Sequence, residues 1–122
     1  MELVSLGIQG QNPTLKDAAV SWIAHPYWLM KDFKFTIERI KKTVVSNDDI
    51  YGMELYNDGL KQLTNEQIEY LSDVPCNYYA VDDLHIPSQI NQGWVEMEVD
   101  SLDRDTVLEN LKNGNYWMVI KK

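Results

Sequence analysis

The sequence predicts an α/β domain built on a mostly parallel sheet of β/α units. Three observations carry that reading. Strand-like and helix-like patterns alternate along the 122 residues, which is the order that strands joined through helices produce. Helix starts and stops coincide with capping residues. Polar, chemistry-bearing residues appear abruptly at the ends of apolar strands, where open α/β sheets place their sites.

The elements follow in order. Residues 2–8 read as a short strand. In "QNPTLKDAAV", Asn12 is an N-cap candidate and Pro13 sits where the first helical turn tolerates proline. "SWIAHP" is a second strand, stopped by Pro26. In "KDFKFTIERIKKTVV" the apolar residues Phe33, Ile37, Ile40 and Val44 fall 4, 3 and 4 apart, on one helical face. "IYGMELYN" is a third strand. Thr64 and Gln67 form a capping box between the staple residues Leu63 and Ile68, opening a helix that runs to about Ser72. "CNYYAVDDLH" is a fourth strand and "GWVEMEVD" a fifth, whose Trp94, Val95, Met97 and Val99 predict a strongly buried face. Asp103 caps a helix carrying Val107, Leu108 and Leu111, Gly114 is its C-cap, and "YWMVIKK" closes the chain as a strand.

Composition bounds the function. A chain of this length builds one modest core, so residues 1–122 are read as a single domain. The 44% apolar and 25% charged content is that of an ordinary soluble globular protein. No apolar run approaches the roughly 20 residues of a membrane span, and the start lacks a basic-then-apolar signal peptide; a cytoplasmic location without membrane association is the expectation. Nineteen acidic against 11 basic side chains leave a net charge of −8, a field that repels nucleic-acid phosphates and fits cations. Cys76 is the single cysteine, which excludes an internal disulfide and a CxxC metal knuckle. With no base beside it, it reads as a small packing residue at a strand start. No nucleophile elbow surrounds Ser21, Ser72, Ser88 or Ser101, and no glycine-rich phosphate loop is present.

Both histidines fall at predicted strand ends, His25 after the second strand and His85 after the fourth. Imidazole and carboxylate are good ligands for zinc, manganese or iron. Asp83 and His85, two apart on extended backbone, share a side and with His25 make a candidate two-His, one-carboxylate metal set. Asp82 faces the other way, as an acceptor that could fix a ligand imidazole. The competing reading is a solvated turn in which His25 merely precedes a proline and the two aspartates cap a loop. Glu54 is a ligand or base candidate, or a residue that simply faces solvent or the mouth of a barrel. Asn57 ends the third strand and could orient a neighbouring loop. Tyr27 and Trp28 could wall a pocket or pack at its rim.

In series, "WIAHPYW", "IYGMELYNDG", "YYAVDDLH" and "GWVEMEVDSLDRDTVLENLKNGNYW" resemble the consecutive later motifs of PHP-domain (polymerase and histidinol phosphatase) metal-dependent phosphoesterases, over residues 20–117. The resemblance implies a distorted barrel of β/α units, of which this chain would form the C-terminal half. It implies His25, Asp83 and His85 as metal ligands, and metal-bound water attacking a phosphate ester of a small phosphorylated substrate. Family members open with a His-x-His motif and further ligands in their first half, and these motifs have no counterpart here. Two histidines cannot build the whole cluster. The chain is therefore expected to pair, as a homodimer or with a separately encoded N-terminal-half partner, since half a barrel leaves open strand edges and uncovered apolar surface. The alternative is a non-catalytic remnant acting as a binding or regulatory protein. A piece of a longer protein would show the same pattern.

Overall fold

The computed structural model describes residues 3–6, 18–26, 36–57, 69, 72–83 and 86–121. The expected cap at Asn12 and Pro13, the capping box at Thr64 and Gln67, the pocket wall at Tyr27 and Trp28, and His85 lie outside these residues.

Strands β1 (Leu3–Leu6), β2 (Val20–Ile23), β3 (Gly52–Asn57) and β4 (Asn77–Val81) form one sheet in the order β1-β2-β3-β4. The pairs β2–β3 and β3–β4 are parallel, as the alternating pattern predicts. The pair β1–β2 is antiparallel, with Val4 opposite Trp22 and the Ser5 and Ser21 hydroxyls 2.8 Å apart. A parallel sheet that carries one antiparallel edge strand is a common mixed arrangement.

Side chains alternate across a strand, and the two faces of this sheet carry different cores. Ile23 and Met53 lie on one face against helix α1 (Ile37–Val45), in a cluster with Ile40, Val44, Ile50 and Val74. Thr36 starts α1 by accepting the Arg39 amide on its hydroxyl, which satisfies an otherwise orphaned N–H. Val20, Trp22 and Tyr79 lie on the other face with Leu111 of helix α2 (Arg104–Asn113). Asp103 caps α2 by accepting the Thr106 amide, and Gly114 ends it at φ 76°, a left-handed conformation suited to glycine. The helical faces read from the sequence, Ile40 with Val44 and Val107 with Leu108 and Leu111, are the faces that pack.

The aromatic packing on the α2 face depends on one glycine. Gly52 of the central strand β3 lies between Trp22 and Asn77 in register. A Cβ there would come within 2.0 Å of the Asn77 carbonyl oxygen and 3.0 Å of the Tyr79 ring. With no side chain in the way, the Trp22 and Tyr79 rings stack across it at 4.1 Å, and Tyr79 stacks in turn on Tyr116 at 5.4 Å. The Tyr79 hydroxyl donates to the Leu111 carbonyl at 2.7 Å, so the stack also ties the sheet to α2.

The last two strands correct the sequence reading. Strands β5 (Gly93–Glu96) and β6 (Trp117–Ile120) pair antiparallel as a separate two-stranded ribbon, although α2 lies between them in the chain. Strand β5 ends at Glu96, short of Met97 and Val99, and its Trp94 and Val95 are half-buried instead of forming a strongly buried face. A two-stranded ribbon has no second layer of strands to enclose such a face; Val95 and Met97 pack at the margin of the α2-side core.

Among the described residues, no helix is long and apolar enough to cross a membrane. Cys76 stands just before β4 and packs against the α1-side core, as the sequence predicts for it. Burial pushes its thiol up to about 11, against weaker opposing bonds from Tyr78 and the Met53 backbone.

Candidate functional site at the strand ends

The carboxyl ends of β2, β3 and β4 lie side by side because these three strands are parallel. A half-open pocket of about 220 Å³ sits there, lined among others by Trp22, His25, Glu54, Asn57 and Asp83. Val4 of the antiparallel edge strand supplies part of its apolar wall.

Glu54 is the centre of the arrangement. Its alternation with Met53 puts it on the α2 face, and it is 4% exposed. Burying a carboxylate requires hydrogen bonds to replace water. Trp22 Nε1 donates to Oε2 at 3.0 Å, while the His25 main-chain N–H at 2.9 Å and Asn57 Nδ2 at 3.1 Å donate to Oε1. Asn57, also 4% exposed, carries the network on: its Nδ2 donates to Asp83 Oδ2 at 3.2 Å. A chain of bonds thus runs from β2 through β3 to the end of β4. Glu54 lines the strand-end pocket and is buried from solvent, and Asn57 bonds Asp83 just past the end of β4.

The two expected ligands within the described residues leave their strands in an uncommon way. His25 has φ 26° and Asp83 φ 50°, both in the left-handed region, which among residues with a Cβ is entered mostly by Asn, Asp and His. The strands end at Ile23 and Val81, short of the sequence-predicted ends, and both residues line one pocket. Single residues held in that region cost energy, and they cluster at functional sites. His25 is 8% exposed.

Asp82 and Asp83 diverge. The Asp82 carboxylate accepts the amides of Asn91 at 2.7 Å on Oδ2 and of Gln92 and Gly93, each at 2.8 Å, on Oδ1. It therefore holds the turn into β5; His85, the imidazole it was expected to orient, lies outside the described residues. Desolvation raises its pKa, but the three backbone bonds together outweigh that and hold the carboxyl below the usual carboxylate value. Trp22 is the site residue that the sequence reading missed. Its indole could be matched to Glu54 only once the β2–β3 register was known, and no spacing encodes that.

An imidazole and carboxylates around a strand-end pocket are a donor chemistry that fits a divalent cation. The described residues alone stop short of a complete set: no group of three or more His, Cys, Asp or Glu among them could hold a metal ion. His85, the third expected ligand, is not among them.

Comparison with family models, with curated proteins and with solved structures returned no match. The fold and site define an α/β protein with a strand-end pocket in which polar side chains stand among apolar walls, and the PHP resemblance rests on the quoted motifs.

Proposed function

We propose that the strand-end pocket is a divalent-metal site of a PHP-like phosphoesterase, with His25, Asp83 and His85 as ligands and a second chain completing the cluster. The observation that supports this reading is the meeting of His25 and Asp83 at one pocket, each on left-handed backbone. A bound zinc, manganese or iron ion would polarise a phosphoryl oxygen and activate water. The chain's own residues prepare the place. Glu54 accepts the His25 main-chain N–H and so fixes the backbone that carries the imidazole. Asn57 steadies the Asp83 carboxylate, and Val4 and Trp22 give the pocket apolar walls.

On this reading the mostly parallel sheet is half of a PHP-type barrel. A homodimer or a separate N-terminal-half chain supplies the further ligands that two histidines cannot. The substrate is a small phosphorylated molecule in a cytoplasmic setting, and the net charge of −8 disfavours nucleic-acid partners.

A non-catalytic remnant that serves as a binding or regulatory protein is the second reading. The observation in its favour is that, among the described residues, the donors to Glu54 are neutral groups of the fold itself, which is what a purely structural network needs.

Elemental analysis of the purified chain, of His25→Ala and of His85→Ala separates the two. About one equivalent of zinc, manganese or iron, lost in both variants, supports the metal site, and phosphatase assays with and without a candidate partner then follow. No metal above background after incubation with each ion removes the first reading in favour of the second.

A further inference from the structure

The base of the site is tied down from outside the pocket. Asp82 grips three consecutive amides, those of residues 91–93, with both carboxylate oxygens. Asn91 has φ 57°, and a left-handed residue in a turn directs successive N–H groups into one anion-accepting concavity. From the other side the Tyr56 ring of β3 closes on Gly93, where a Cβ would come within 2.3 Å of it. The turn into β5 is thus held between β3, which carries Glu54 and Asn57, and the end of β4, where Asp83 follows Asp82 directly.

We propose that Asp82 is a positioning residue for this site: by clamping residues 91–93 it fixes the backbone that turns Asp83 into the pocket. The inference rests on the metal-binding reading above. Asp83 is then set twice, at its carboxylate by Asn57 and at its backbone by the clamp one residue earlier. Left-handed backbone outside glycine persists where its surroundings hold it, and the clamp on Asp82, immediately before Asp83, is one such hold beside the Asn57 bond.

The test is Mn²⁺ affinity of the full chain, measured by titration calorimetry, for wild type, Asp82→Ala, Asp82→Asn and Val119→Ala. Val119 lies in β6 opposite Trp94, so its truncation weakens the ribbon without touching the clamp. Groups that orient metal ligands are worth roughly 10- to 100-fold in affinity, and Asp82→Ala is expected at the lower end, about tenfold weaker. Asp82→Asn keeps Oδ1, which accepts two of the three amides, and is expected to fall between Asp82→Ala and wild type. Val119→Ala is expected to bind like wild type despite a lower melting temperature. Wild-type affinity in Asp82→Ala, or an equal loss in Val119→Ala, overturns the positioning role while leaving the metal site standing. Should Asp82→Ala not fold, Asp82→Asn decides, and wild-type affinity in it overturns the proposal. A wild-type chain that does not bind Mn²⁺ overturns the metal reading and the positioning role together.

Discussion

Trp22 on β2 and Glu54 on β3, 32 residues apart in the chain, meet in a buried hydrogen bond of 3.0 Å from indole Nε1 to carboxylate Oε2. The bond joins the aromatic stack of the α2-side core to the polar network of the pocket, because the same indole ring stacks on Tyr79. Packing and site are therefore coupled through one side chain.

Trp22→Phe keeps a ring for the stack and removes the donor. A buried group left short of a partner costs about 1–3 kcal/mol, and urea denaturation should show a loss in that range. Adding Glu54→Leu, which removes the carboxylate, should cost less on the Trp22→Phe background than on wild type. Strict additivity of the two losses would show that the bond does not couple them.

Gly52→Ala should be among the most damaging single methyl additions. The new Cβ would lie 2.0 Å from the Asn77 carbonyl oxygen, a backbone atom that cannot move without opening the β3–β4 pair. Overpacking a core ordinarily costs about 1–3 kcal/mol, and a backbone clash belongs at the top of that range or above it. Circular dichroism melting of Gly52→Ala beside Ala80→Gly would measure this, and a melting temperature equal to wild type would contradict the packing described.

Cys76 should react slowly. Its thiol is held up to about 11 by burial, so the reactive thiolate is scarce at pH 8. Labelling by a thiol reagent should be slow in the native protein and fast in urea. The sign of the stability effect follows: the unfolded thiol ionises near its ordinary 9.0, so the folded state loses stability as pH rises from there toward 11. Rapid labelling of native protein at pH 8 would be inconsistent with this burial.

Asp103 should make α2 sensitive to acid. Its carboxyl is held below the ordinary 3.8 by the Thr106 backbone and side-chain bonds. A folded-state pKa below the unfolded one adds stability that is present above the unfolded value and lost as pH falls through the folded value. Asp103→Asn, still a good N-cap, should flatten that part of the acid unfolding curve, and its melting temperature below pH 3.8 should approach that of wild type. An unchanged acid profile would assign the sensitivity to other carboxylates.

The sequence by itself determined the local elements. The 3, 4 apolar spacing of Ile37, Ile40 and Val44 marks the packed face of α1, Asp103 and Gly114 bracket α2, and polar residues mark the strand ends at His25, Asn57 and Asp82. These signals are legible because helix and strand periods and end caps are set by backbone geometry within a few residues. Only the tertiary structure decided that β1 runs antiparallel, that β5 and β6 form their own ribbon, that Glu54 is buried, and that Asp82 turns to residues 91–93 while Asp83 turns to the pocket. Each of these depends on partners brought together from 9 to 32 residues away. Such pairings are chosen by the joint closure of the sheet and its two cores, and no local spacing in the chain records them.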